Sequence, residues 1–132
     1  METKKTNFMH YVAGVIDSDG NIQIGESKGS FYTTVRVECT SFRLTKLLWK
    51  EFGGSFSHST RKKHIGGKTT YVWMLSSRMA EDFLHEVQNY LVTKKREAKV
   101  ALKFRATYNK SDDNWRNKEH RRKLIQKLQS YH

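Results

Sequence analysis

Proline is absent from all 132 residues, where average usage would give about six or seven. That absence excludes a proline-rich linker or disordered tail. Cysteine occurs once, at Cys39, which excludes internal disulfides and a cysteine-based zinc site and fits a reducing compartment. Acidic residues are scarce: 13 Asp and Glu face 25 Lys and Arg, for a formal charge of +12. An acidic solubilising protein is thereby excluded, and the expected partner is a polyanion, either nucleic acid or an anionic surface. No apolar run approaches the length of a membrane-spanning helix. The first twenty residues, METKKTNFMHYVAGVIDSDG, hold no sustained apolar stretch with a cleavage site, so no secretory signal is expected. Hydrophobic residues make up 36% of the chain, enough for one core and one domain over residues 1–132.

The positive charge is uneven. Residues 94–132 hold 13 of the 25 basic residues and 4 of the 13 acidic ones. Hydrophobic spacing predicts a helix over 8–18 and a strand over 21–27 with Ile22 and Ile24 on one face. A turn at 27–30 leads into a returning strand from Phe31 to Thr40, in which Val35, Val37 and Cys39 alternate with Thr34, Arg36 and Glu38. A helix over 41–52 ends at Gly53-Gly54. A second hairpin pairs strands 55–63 and 68–76. Helices are predicted over 78–91, 94–109 and 115–130. The class is α+β. Two hairpins can form one four-stranded antiparallel sheet with helices on one face and the other face free. The free face would present Gln23, Ser27, Thr34, Arg36 and Glu38, with Lys28 in the turn. From the second hairpin it would take some of His58, Thr60, Arg61, Lys63, Lys68 and Thr70, whose phase the pattern leaves open.

The densest signal is Val12-Ala13-Gly14-Val15-Ile16-Asp17-Ser18-Asp19-Gly20. Gly14 and Ser18 are small and four apart, a spacing that lets two helices approach closely. Asp17 and Asp19 then lie at a helix C-terminus, against the negative end of its dipole, at a cost of a few tenths to about 1 kcal/mol. Two such acids near a two-fold axis would repel each other unless divalent cations bridge them. Taken alone, Asp-x-Asp-Gly is also an ordinary turn. It lacks the further oxygen ligands of a calcium loop.

VAGVIDSDG resembles the signature of the LAGLIDADG homing endonucleases, with six of nine positions identical. The likeness extends through Tyr11, Asn21-Ile22-Gln23-Ile24, both hairpins and Leu91 to Lys95, over about residues 6–109. It implies an αββαββα fold with a saddle-shaped sheet seated in the DNA major groove, here with a basic helical extension over about 110–132. By resemblance, Asp19 binds the catalytic metal and Gly20 lends its carbonyl. Lys94, with Lys95 behind it, falls where an active-site lysine is expected. Glu38 is the candidate for ordering water near the metal, with Ser41 and Arg43 as substitutes. Asp17 reads as a structural acid. A single motif implies a homodimer joined through Val12, Ala13, Gly14, Ile16 and Asp17, acting on near-palindromic double-stranded DNA and hydrolysing one phosphodiester per strand. Magnesium is the implied cofactor, with manganese as a substitute. RNA is a further partner if the chain is a maturase.

Phosphate contacts position the protein on DNA while base contacts specify. Arg36, Arg61 and Lys28 suit guanine and Gln23 suits adenine. A strand of about nine residues spans roughly 30 Å, or about eight or nine base pairs for each protomer. The six histidines show no metal-ligand spacing. Two other classes remain: a relative that binds DNA or RNA without cutting, such as a maturase or regulator, and a plain basic domain whose Asp-x-Asp-Gly is only a turn. The C-terminal segment reads either as a helix packed through Leu124 and Leu128 or as a contact to the DNA flanks. Trp115 and Tyr131 read as packing residues. The expected compartment is the cytoplasm of a bacterium, archaeon or phage-infected cell, or an organelle, without secretion.

Overall fold

The computed structural model describes residues 2–27, 30–60, 68–108 and 115–131, with the side chains at 2–3, 27, 30, 60, 105–108 and 115–121 left aside. Helix α1 (Glu2–Asp19) runs straight into strand β1 (Gly20–Ser27), and β2 (Ser30–Cys39) returns beside it. Helix α2 (Phe42–Phe52) follows, then β3 (Ser55–Thr60), β4 (Thr69–Ser76) and α3 (Ser77–Val87). One turn of 3-10 helix at Gln88–Tyr90 precedes α4 (Lys95–Tyr108) and α5 (Trp115–Ser130). The four strands form one antiparallel sheet in the order β1-β2-β4-β3.

Local chemistry sets the element ends. Ser41 caps α2, its hydroxyl oxygen accepting from the Leu44 amide at 3.2 Å, which satisfies a donor that the helix leaves open. Gly53 closes the helix at φ 76 with its amide on the Trp49 carbonyl, a left-handed exit that favours glycine. The α1–β1 junction also needs a glycine, because a Cβ on Gly20 would lie 2.7 Å from the Cα and carbonyl oxygen of Ile16. The sequence expectation begins α1 at residue 8; the helix starts six residues earlier, through a polar stretch that lacks an apolar period.

The sheet's inner face holds the main core. Ile22, Val35, Val37, Trp73 and Leu75 are buried there, against Met9, Val12, Ile16, Leu48, Phe83 and Leu84 of the helices. Trp73 is fully buried and donates its indole N–H to the Gly53 carbonyl at 2.8 Å. A smaller core joins Ile24 and Phe31 at the tip of the first hairpin to Val100 and Phe104 of α4 and Leu124 and Leu128 of α5. Helix α5 therefore packs through the two leucines, with Arg122, Lys123 and Lys127 exposed. Tyr131 packs against this cluster, its ring under the Arg96 guanidinium at 4.3 Å. The side chains of Trp115, Arg116, Lys118 and Arg121 lie outside the described residues.

Candidate nucleic-acid interface and carboxylate site

Register decides which side chains share the outer face of the sheet, because directly paired residues point the same way. Gln23 pairs with Thr34 and Asn21 with Arg36. Thr34 pairs with Ser76, Arg36 with Met74 and Glu38 with Val72. Ser55, Ser57 and Ser59 of β3 pair with Met74, Val72 and Thr70. This outer face includes a concavity of about 490 Å³ lined by Gln23, Tyr32, Thr34, Arg36, Met74 and Ser76 among others.

The register also fixes the phase that the sequence leaves open. His58 pairs with Tyr71, and with Phe56 and Trp73 it belongs to the inner, helix-bearing side. It is therefore removed from the outer-face set. Thr70 is on the outer face but is buried, and Lys68 is exposed just before β4. Lys28, Arg61 and Lys63 lie outside the described residues, as does the side chain of Ser27. The sequence reading missed Tyr32, Val72 and Met74, because large apolar residues in strands read as core. Tyr32 is exposed and its ring lies across Gly25, where a Cβ would meet the ring at 2.6 Å.

Glu38 is already engaged. One carboxylate oxygen accepts from Arg36 at 2.8 Å and the other from the Thr70 hydroxyl at 2.8 Å. The Thr70–Glu38–Arg36 chain crosses β4 and β2, and it holds the guanidinium in one orientation on the outer face.

Where α1 runs into the edge strand β1, Asp17 and Asp19 part company. The Asp17 carboxylate accepts from the Val92 amide at 2.9 Å and from the Lys94 amide at 2.9 Å. In return, Lys94 Nζ donates to the Asp17 carbonyl at 2.8 Å. An acid thus caps the approach to α4, and a cation closes the C-terminal end of α1, each against the helix pole it favours. The Asp17 carboxylate thus holds residues 92–94 against the end of α1, and Lys94 is fixed beside its last turn. Asp17→Ala is expected to cost about 2 kcal/mol of stability by leaving both amides without their acceptor. A urea midpoint unchanged from the parent would contradict that role.

Asp19, two residues on, is exposed and takes no hydrogen bond or ion pair among the described residues. The register, with Gly20 opposite Val37, sets the Asp19–Gly20 corner beside the Glu38 end of β2. Among the described residues, no group of three or more His, Cys, Asp or Glu is placed to hold a metal ion.

The two faces of α1 differ sharply. Val12, Ala13 and Ile16 are fully buried in the chain's own core, so they cannot form the expected contact with a second chain. The helical period places Asn7, Tyr11, Gly14 and Ser18 on the opposite side, and all four are exposed. A Cβ on Gly14 would meet nothing within 4 Å. The Ser18 hydroxyl turns back onto the Gly14 carbonyl at 2.9 Å, so it adds little bulk to that face. Of the residues expected at the interface, Gly14 stays on the free face and Asp17 is occupied by the 92–94 turn. The 3.6-residue helical period separates 12, 13 and 16 from 11, 14 and 18.

No family model matches the chain, and no curated protein sequence does. Solved structures do. The homing endonuclease I-CvuI, in complex with its target in the presence of calcium, superposes with a TM-score of 0.76 at 18% identity, covering 96% of this chain and 82% of that one. The archaeal intron-encoded homing endonuclease I-Vdi141I, complexed with DNA, gives 0.77 at 13% identity over 97% of this chain and 86% of that one. The LAGLIDADG homing endonuclease I-GzeII, in complex with a DNA target, gives 0.64 at 17% identity; 93% of this chain matches 43% of that one. The chain has the fold of the LAGLIDADG homing endonucleases.

Proposed function

We propose that the chain is a site-specific DNA endonuclease that acts as a homodimer. The observation that carries this reading is the VAGVIDSDG segment in place. It forms a helix with one uncovered face on which Gly14 and Ser18 are small, and it ends at an exposed Asp19 with Lys94 held at the same helix end. Pairing two copies through Tyr11, Gly14 and Ser18 would bring two Asp19 carboxylates together, an arrangement that two anions resist without a cation. The donor set, carboxylate plus the Gly20 carbonyl, suits a hard divalent ion. Half of it comes from each chain, which accords with the lack of a complete ligand cluster among the described residues of one chain. Magnesium is the proposed ion, with manganese as a substitute; the calcium and magnesium of the I-CvuI complexes support a divalent cofactor.

When bound, such an ion supplies an activated water and stabilises charge on the leaving oxygen. Asp19 of each chain would hold it. Lys94 offsets charge that develops on the phosphate, its ammonium kept at the site by the Asp17 carbonyl. The sheet's outer face reads the duplex through Gln23, Thr34 and Arg36, with Tyr32, Val72 and Met74 offering apolar contact to thymine methyl groups. Glu38 serves this reading by orienting Arg36. The exposed cations of α5 add contacts to flanking phosphates.

Selection of cleaved sites from a random duplex library in magnesium tests the proposal. The expected product is a two-fold symmetric site of about 16–18 base pairs, with all cutting lost on chelation and restored by added magnesium. Asymmetric sites, or cutting that survives chelation, would contradict it.

A further inference from the structure

The back of the molecule carries a groove that the proposed cleavage does not use. Three helices build it: the N-terminal half of α1, the last turn of α2, and α3. Its volume is about 490 Å³. The floor is aromatic and sulfur-bearing. Phe8 and Phe52 stack at 6.2 Å, Phe52 meets Phe83 edge-on at 4.8 Å, and Met9 and Met79 complete the apolar surface. Met79 is 47% exposed and joins Phe8 and Phe52 in one apolar patch, the kind of surface that marks a contact site.

The rim has the opposite sign from the rest of the chain. Glu51, Asp82 and Glu86 line the groove, and Lys5 is the one cation among its lining residues. The lining thus carries a net −2 (one cation less three acids) on a chain of +12. None of the three acids makes an ion pair among the described residues. Nucleic acid is repelled by such a rim, so this surface does not extend the DNA-binding face.

We infer that this groove docks a basic amphipathic helix of a protein partner. Its apolar stripe would seat on Met79, Phe8 and Phe52, and its lysines or arginines would reach Glu51, Asp82 and Glu86. A helix lying in an apolar groove is a recurrent recognition mode. A floor of methionine and phenylalanine adapts to varied apolar side chains, and charge complementarity selects the basic partner. The inference goes beyond cleavage and does not depend on it.

The net charge of the chain makes the test sharp, because non-specific electrostatics would drive a cationic peptide away. The probe is a fluorescein-labelled 16-residue Leu/Lys peptide patterned as an amphipathic helix, read by anisotropy. One control has glutamate in place of lysine, and another has the same composition scrambled to remove the apolar face. Binding of the first peptide alone is expected. It should weaken about tenfold in Glu51→Lys/Glu86→Lys, the order expected when attractive rim charges become repulsive, and severalfold in Met79→Ser. All these positions are exposed, and circular dichroism checks that the variants stay folded. Absence of binding, or equal binding to parent and double variant, overturns the inference. So does assembly beyond a dimer in sedimentation that Met79→Ser abolishes, since the occupant would then be another copy of this chain.

Discussion

Asp19→Asn is expected to lower strand cleavage by about 10³-fold or more while leaving target binding within a few-fold of the parent. The substitution keeps size and hydrogen-bonding capacity but removes the charge that would hold a divalent ion. Asp19 is exposed and takes no hydrogen bond or ion pair among the described residues, so its loss should leave the fold intact. That separates it from Asp17, whose carboxylate holds the 92–94 turn. Single-turnover cleavage beside a binding isotherm in calcium measures both effects. Parental cutting by the variant would remove Asp19 from the chemistry.

Gly14→Leu is expected to break the dimer and, with it, cleavage. Within one chain the change is harmless, because the space beyond Gly14 is open. Replacing a helical glycine should even stabilise the lone chain by about 0.5–1 kcal/mol. In the pair, two leucines would be forced between helices that small residues let approach. Overpacking of about 1–3 kcal/mol for each copy weakens association by about 10²-fold or more. The signature of the result is its opposite signs: a higher melting temperature at low concentration and a lost dimer in sedimentation. A variant still dimeric and active would place the second chain elsewhere.

Much of this architecture was legible in the sequence because its signals are local. Period-2 alternation in 21–39 gives both strands and the inward set Ile22, Ile24, Val35 and Val37. Ser41 and Gly53-Gly54 bracket α2. The role of Asp17 was legible only as a likeness, and the structure supplies its cause in two amides seventy-five and seventy-seven residues away. What the sequence hid is relational. The phase of the second hairpin depends on pairing across β2 and β4, because both faces of that hairpin mix apolar and polar residues; the side His58 takes is set by that pairing. The VAGVIDSDG motif cannot serve as an interface in one block, because a helix must turn part of any nine-residue stretch inward. Tyr32 and Met74 are not marked in the sequence, because an apolar side chain on the outer face of a sheet has the same spelling as one in a core.

If two copies meet through the Tyr11–Gly14–Ser18 face of α1, disulfide trapping should join them there. The one native cysteine is replaced in Cys39→Ser, and Ser18→Cys is added, with Glu86→Cys, in the groove between α1, α2 and α3, on the same background as a control. Oxidation is expected to convert the Ser18→Cys chain to a covalent dimer at low micromolar concentration while the control stays largely monomeric. Efficient trapping through position 86, with none through position 18, would rule that face out as the dimer contact.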